Sequence, residues 1–285
     1  MYVEVNMLEI KNVVKDYGKL RALNRVNITA HSGDIIGVLG HNGSGKTTLF
    51  RLCLNLLMLS EGEIWFNKRK IVPLDIGYLP EYRAVYKDIT ILQQIVYLAK
   101  LKKVPKTKID KQCEYWLKRF GLWERKDHLI ASLSKGNQQK VQFICALLHN
   151  PSILILDEPL TGLDAANVEL FRTVLLEQSQ QGKIIFLSTH QYEELELFCN
   201  YILLLKQGNT MLQGKLDELK AQDGRVCITI PYYEDVACLK VIQEGRMYRY
   251  IFENEEQANV FLKSVKSIYV KKEPISLREL VTEVS

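Results

Sequence analysis

A chain of 285 residues, 47% hydrophobic and 25% charged, has ordinary globular composition: it suffices for one large domain and a smaller one and excludes a disordered or fibrous polymer. Its net charge of +5 is too mild for a dedicated nucleic-acid binder. Six cysteines (Cys53, Cys113, Cys145, Cys199, Cys227, Cys238) form no CxxC pair and sit mostly among apolar neighbours, which points to free thiols in a reducing compartment and away from a disulfide framework or a metal site.

The start, MYVEVNMLEIKN, carries acids and lacks a long apolar run, so no secretory signal is expected. The first thirty-odd residues read as strands; in VNIT, Val26 and Ile28 share one face and Asn27 and Thr29 the other. DIIGVLG is a continuous apolar run ending in glycine, as a fully buried parallel strand requires, and TTLFRLCLNLLM then has helical apolar spacing. Residues 82 to about 150 are expected to be mainly helical. Within them, residues 100–126 carry ten Lys/Arg against three acids, read as a solvated helical face, with attraction to an anionic membrane leaflet as the weaker alternative. PSILILDEP is a second buried strand, NVELFRTVLLEQSQQG a helix closed by Gly182, and KIIFLSTH a third buried strand. Alternating strands and helices predict an α/β core with a parallel sheet. From about residue 224 the pattern changes. RVCITI, RMYRYIF and SIYVKK read as short strands, YYEDVACLKVI and NEEQANVFLKSVK as helices between them, and SLRELVTEV closes a small α+β appendage. No stretch reaches the ~18 consecutive apolar residues that span a bilayer, so any membrane-spanning helices would come from another subunit.

Gly40-His41-Asn42-Gly43-Ser44-Gly45-Lys46-Thr47 fits GxxxxGK[ST] between the first buried strand and a helix. Glycines there let backbone N–H groups turn inward as an anion nest, and the helix start adds positive dipole. Lys46 supplies a mobile charge for the outer phosphates, the Thr47 hydroxyl can ligate Mg²⁺, and Thr48 can reach an inner phosphate. Asp157 and Glu158 end the second buried strand, at the edge where parallel α/β sheets bind ligands. Asp157 would hold Mg²⁺ through its hydration shell, and Glu158 would polarise the attacking water. His190, ending the third strand, could hydrogen-bond a γ-phosphate.

LSKGNQQK (Leu133 to Lys140) lies between the helical region and the Asp157 strand. With the two motifs above it resembles the signature of the ATP-binding cassette (ABC) ATPases, usually LSGGQ, and the resemblance covers roughly residues 7 to 220. It implies a P-loop NTPase fold with an N-terminal antiparallel β subdomain and a helical subdomain (about 82–150), an ATPase domain over residues 1–222, and an accessory domain over 223–285. By the same resemblance Tyr17 matches the aromatic residue that stacks on adenine, Asp164 in TGLD the D-loop, and His190 the switch histidine. Glu81 stands where most members have a glutamine that meets the metal. Ser134, Gly136 and Asn137 belong to the signature, which completes the ATP site of a second cassette. Lys135 and Asn137 depart from the usual glycine and glutamine. Similarity in Glu81, LSKG and the PISLRELVTE tail suggests the bacterial drug, peptide and copper-site-assembly exporters. Implied partners are a separate transmembrane permease, docked through Tyr82, Arg83, Val85 and Tyr86, and a second ATPase chain, most simply another copy. No nucleic acid is expected, and the site of action would be peripheral, on the cytoplasmic face of the cell membrane. The competing readings are a soluble ABC protein acting on ribosomes or DNA, and a nucleotide-gated scaffold without turnover.

Overall fold

The computed structural model describes residues 6–82, 85–189, 191–267 and 269–282. Strand β1 (Met7–Tyr17) turns at Gly18 (φ +59°) into β2 (Leu20–His31), its antiparallel partner. Val26, Ile28 and Ala30 of β2 are buried while Asn27 and Thr29 are exposed, the two-residue period of a sheet with one wet face. Next come β3 (Ile35–Leu39), buried at every position, and helix α1 (Lys46–Cys53). Strands β4 (Glu61–Phe66) and β5 (Arg69–Lys70) complete the N-terminal antiparallel sheet in the order β2-β1-β4-β5.

After β6 (Ile76–Leu79) the chain enters the helical region, with α2 (Ile91–Leu101), α3 (Lys106–Arg119) and α4 (Lys135–Leu147). A capping box at Thr90 and Gln93 starts α2. Phe120, Phe143 and Phe171 pack ring against ring at 4.4–5.7 Å and tie this region to the core. The core then alternates: β7 (Ile153–Asp157), α5 (Ala165–Gln180), β8 (Ile184–Ser188), α6 (Tyr192–Phe198), β9 (Tyr201–Lys206) and β10 (Asn209–Lys215). The central sheet runs β10-β9-β3-β8-β7-β6, parallel from β9 to β6, with β10 antiparallel at the edge. Its two faces serve two cores. Ile35 and Leu39 of β3 face the helices, while Ile36 and Val38 meet Leu8, Ile10 and Phe50 on the side of the N-terminal sheet.

Helix α7 (Leu216–Asp223) ends at Gly224, whose φ of +77° suits a residue without Cβ. A third sheet follows, from β11 (Val226–Ile230), β12 (Lys240–Glu244), β13 (Met247–Phe252) and β14 (Lys271–Pro274), with α8 (Glu255–Ser264) before β14 and α9 (Leu277–Thr282) after it. Its order is β12-β13-β11-β14, antiparallel throughout. Ile228, Ile230, Tyr250 and Phe252 cover α8 through Ala258 and Phe261. On the opposite face Cys227 and Ile251, with Ile275, Leu277 and Leu280, merge into the same apolar interior as Leu195, Phe198, Leu216 and Leu219 of the core.

Three local expectations are corrected. YYEDVACLKVI is an irregular segment followed by strand β12, not a helix. The Tyr250 hydroxyl accepts from Glu234 N–H (2.5 Å) and donates to Glu234 C=O (3.1 Å), holding that backbone away from helical bonding. The strand expected at SIYVKK begins only at Lys271. The helix expected over TTLFRLCLNLLM stops at Cys53, because Asn55 turns into the left-handed region (φ +55°) and its side chain donates to Ile71 C=O (2.9 Å). All six cysteines are free thiols; burial pushes Cys53 and Cys145 up to about 12, so both stay protonated and inert. Among the described residues no helix is long and apolar enough to cross a membrane.

Candidate functional site

The C-terminal ends of β3 and β7 open onto a pocket of about 410 Å³. It is lined by Asn42 to Thr48, by Tyr17, Leu20 and Ala22 from the N-terminal sheet, by Glu81 and Tyr82, and by Asp157 and Glu158. The loop after β3 takes its shape from glycines. A Cβ on Gly40 (φ +143°) would fall 2.3 Å from Leu205 O, and one on Gly45 (φ +112°) 2.8 Å from Ala22 O. Gly45 is also the residue from which α1 starts, so the helix's free N–H groups and positive dipole end face the loop. The buried Ser44 hydroxyl finds no partner among the described residues, as expected where an anion is to be received. The Lys46 ammonium folds back onto Gly40 C=O (2.5 Å) and His41 C=O (3.2 Å). Burial lowers its pKa, opposed by the nearby charges of Glu158, Asp157 and Glu81.

The acidic side of the pocket is anchored through a residue that sequence reasoning missed. Ser188, wholly buried at the end of β8, donates through Oγ to Asp157 Oδ1 (2.5 Å). The same Ser188 accepts the Glu158 N–H at both its hydroxyl and its carbonyl (3.1 Å each). Asp157 Oδ2 accepts from the Thr47 hydroxyl (3.3 Å), which joins the start of α1 to the end of β7. Glu158 leaves β7 in the left-handed region (φ +51°), where a non-glycine residue is strained, so its side chain swings out of the strand direction. Burial, then the neighbouring Asp157, pushes the Glu158 carboxyl up to about 7, with Lys46 opposing them. A carboxyl that titrates near neutral pH is poised to take a proton from water. The only sign of Ser188 in the sequence was its place in STH, one strand over from the acidic pair.

Of the residues expected to bind nucleotide, Tyr17, Asn42, Gly43, Ser44, Gly45, Lys46, Thr47, Thr48, Glu81, Asp157 and Glu158 meet in this one pocket. Gly40 and His41 contribute the carbonyls that hold Lys46. Tyr17 is 44% exposed; the Lys15 ammonium lies 5.1 Å from its ring centre and is anchored on Met58 C=O. Ser134, Gly136, Asn137 and Asp164 do not line the pocket. Ser134 caps α4 by accepting from Asn137 N–H (3.3 Å), and Asp164 caps α5 by accepting from Asn167 N–H (2.9 Å). A Cβ on Gly136 would meet Leu163 at 3.5 Å, so the start of α4 lies beside the turn that precedes Asp164. His190, like Arg83 of the docking segment, lies outside the described residues. The donor set suits a Mg²⁺-bound nucleotide: a backbone nest and a lysine for phosphates, with a hydroxyl and carboxylates for a hard cation.

The family described as ABC transporter matches residues 23–161. The chain is 40% identical over 237 residues to the uncharacterized ABC transporter ATP-binding protein YhaQ of Bacillus subtilis, covering 82% of this chain and 80% of that one. It is 37% identical to the uncharacterized ABC transporter ATP-binding protein MJ1023 of Methanocaldococcus jannaschii, covering 85% and 87%. Among solved structures, an ATP-binding subunit of an ABC transporter superposes with a TM-score of 0.72 at 27% identity, over 76% of this chain and 92% of that one. The α/β P-loop NTPase frame with its β and helical subdomains matches these structural neighbours, and the chemistry of the domain is Mg²⁺-dependent ATP hydrolysis. The chain belongs to the ABC transporter family as an ATP-binding, ATP-hydrolysing subunit.

Proposed function

We propose that this subunit powers a membrane exporter by ATP-driven pairing of two cassettes. The observation that carries the reading is the division of the site: Lys46, Thr47, Asp157 and Glu158 share one pocket, while Ser134 lies outside it at the exposed start of α4. A nucleotide held by one chain then meets Ser134, Gly136 and Asn137 of a second, and two-fold pairing satisfies both sites at once. Tyr17 stacks on the base. The loop from Gly40 to Thr48 takes the phosphates. Thr47, Asp157 and Glu81 hold Mg²⁺ or its waters, and bound Mg²⁺ supplies charge neutralisation on the phosphates. Glu158 accepts the proton of the attacking water. His190 touches the γ-phosphate, and Asp164 aids contact between the two chains. Loss of the γ-phosphate removes the contact common to both halves, so the pair reopens; ATP shifts the equilibrium only through its preference for the closed state.

The docking segment beyond Glu81 offers Tyr82 (81% exposed) and Tyr86 (54% exposed) to a separate permease chain, with the subunit peripheral on the cytoplasmic side of the membrane. Residues 223–285 make an accessory domain of the same chain. Export is the direction favoured by Glu81, the LSKG signature and the PISLRELVTE tail. Two measurements test the reading. Glu158→Gln protein at saturating Mg-ATP should sediment as a dimer and return to monomer with ADP; a monomer at saturating ATP overturns pairing. Purification from native membranes should bring down a spanning subunit; a substrate-capturing extracytoplasmic protein in the same complex would reverse the direction to import.

A further inference from the structure

Strands β7 and β8 run side by side through five register pairs. Four are apolar: Ile153 with Ile184, Leu154 with Ile185, Ile155 with Phe186, and Leu156 with Leu187. The fifth, at the nucleotide pocket, sets Asp157 against Ser188. Both are buried, at 2% and 0% exposure. A serine in that place gives up an apolar contact and brings in a hydroxyl that burial penalises unless it is matched.

The hydroxyl is matched on both sides, and the matching fixes its hydrogen. A backbone N–H can only donate, so Ser188 Oγ accepts from Glu158 N–H (3.1 Å). Its one hydrogen is then committed to Asp157 Oδ1 (2.5 Å). Asp157 is left with a single orientation: Oδ1 turned to β8, and Oδ2 to Thr47 at the start of α1 (3.3 Å). Glu158 is constrained by the same residue. Its N–H is shared between the hydroxyl and the carbonyl of Ser188 (3.1 Å each), which holds a φ of +51° that is costly for a residue with Cβ. One serine therefore sets the directions of both acids, and so their spacing.

We propose that Ser188 is a positioning residue for hydrolysis: its hydroxyl turns Asp157 Oδ2 toward the metal position and pins the backbone that aims Glu158 at the attacking water. This rests on the reading of Asp157 as the Mg²⁺ carboxylate and Glu158 as the base. Ser188 does not line the pocket, so it acts through the two acids. Removing its hydroxyl has unequal effects on them. Asp157 Oδ1 becomes a buried acceptor without its serine donor, whereas Glu158 N–H keeps the Ser188 carbonyl. Metal-linked binding should suffer first.

The measurement is the affinity of the full chain for a non-hydrolysable ATP analogue, by calorimetry, in excess EDTA and in excess Mg²⁺. The ratio of the two affinities is the Mg²⁺ enhancement. Ser188→Ala should lower that enhancement about tenfold and leave the affinity in EDTA unchanged, as loss of a partner behind a metal ligand does. Ser188→Thr keeps the hydroxyl on a residue suited to strands and should retain the enhancement. Ser179→Ala is the structural control. It removes a comparable bond, Ser179 Oγ to Gly33 C=O (2.7 Å), just before β3 and so at the opposite end of that strand from the pocket, and should leave the enhancement unaltered. Phosphate release at saturating Mg-ATP reads the effect on Glu158: kcat should fall about tenfold or more in Ser188→Ala and recover in Ser188→Thr. An enhancement retained in Ser188→Ala overturns the proposal while leaving both acids in their roles. Equal loss in Ser179→Ala, or in a folded Ser188→Thr, overturns it as well, and an unchanged kcat overturns the part that concerns Glu158. No enhancement in the wild type overturns the metal role of Asp157, and the proposal with it.

Discussion

The nucleotide pocket and the C-terminal sheet both bury ionisable groups, but with opposite logic. In the pocket, Asp157, Glu158 and Glu81 crowd like charges together with Lys46 as the cation among them. In the C-terminal sheet, Arg249 forks onto Glu279 (3.1 and 3.2 Å) and also bonds Glu273. Burial raises Glu158, and its neighbour Asp157 raises it further. Burial alone would also raise Glu273 and Glu279, yet Lys271 and Arg249 reverse the sign for Glu273, and Arg249 and Ser276 for Glu279, so both are lowered. The pocket thus holds a charge the fold would rather neutralise, and the sheet holds charges that the fold has matched. The first is how a site stores reactivity; the second is how a small sheet specifies its packing.

The comparison can be broken most directly at Glu158. Glu158→Gln should cut kcat for ATP hydrolysis by about 10²–10⁴ if the carboxyl is the base, measured as phosphate release at constant ATP. Lys46→Ala should reduce hydrolysis by roughly 10²–10³, as loss of a preorganised charge at the phosphates does. The matching cut in the tail is Arg249→Met. It removes the cation shared by Glu279 and Glu273, leaving Glu273 with Lys271 and Glu279 with Ser276, and should cost about 3 kcal/mol in urea unfolding, with no direct effect on nucleotide contacts.

The pH dependences should run in opposite senses. Glu158 has a raised folded value, so its cost to stability is absent below about 4.5 and grows as pH rises to about 7. Glu158→Gln without nucleotide should therefore melt above wild type at pH 8, with the gap closing towards pH 4.5. Glu273 and Glu279 have lowered folded values, so their contribution is present above about 4.5 and lost as pH falls through the folded values. Arg249→Met should accordingly lie closest to wild type in acid. The smallest expected effect separates structure from function at the signature. Ser134→Ala removes the cap of α4 and should cost about 1 kcal/mol, whereas Ser134→Asp keeps the cap and adds charge. Thermal melting should be preserved in Ser134→Asp while ATP-dependent dimerisation is lost; dimerisation at the wild-type ATP concentration would detach Ser134 from the partner's nucleotide.

The two regions also differed in how openly the sequence declared them. The phosphate loop is legible because backbone turned onto phosphate demands glycine at fixed places, and Gly40 and Gly45 occupy positions where a Cβ would strike backbone oxygens. Asp157 and Glu158 are legible because two acids follow four buried apolar residues. Ser188 was not, since a serine at a strand end becomes part of the site only once β7 and β8 are neighbours. In the tail, local spacing misled: YYEDVACLKVI has apolar residues at helical intervals, but the Tyr250 hydroxyl and pairing of β12 with β13 decide its conformation. Both partners come from later in the chain, so no local pattern carries them. Helix α1 was overextended for a related reason, the left-handed turn at Asn55 being tied to Ile71, 16 residues on.

The shared apolar interior between α6, α7 and α9 has one further consequence. Leu277 N–H donates to the Glu196 carboxylate (3.1 Å), which also grips Lys220, and Leu277, Leu280 and Val281 sit with Leu195, Phe198 and Leu219 in continuous oil. A gene cut after codon 222 would not liberate a tidy minimal motor. It would bare a greasy floor, and the shortened product should be sticky in solution however intact its phosphate loop.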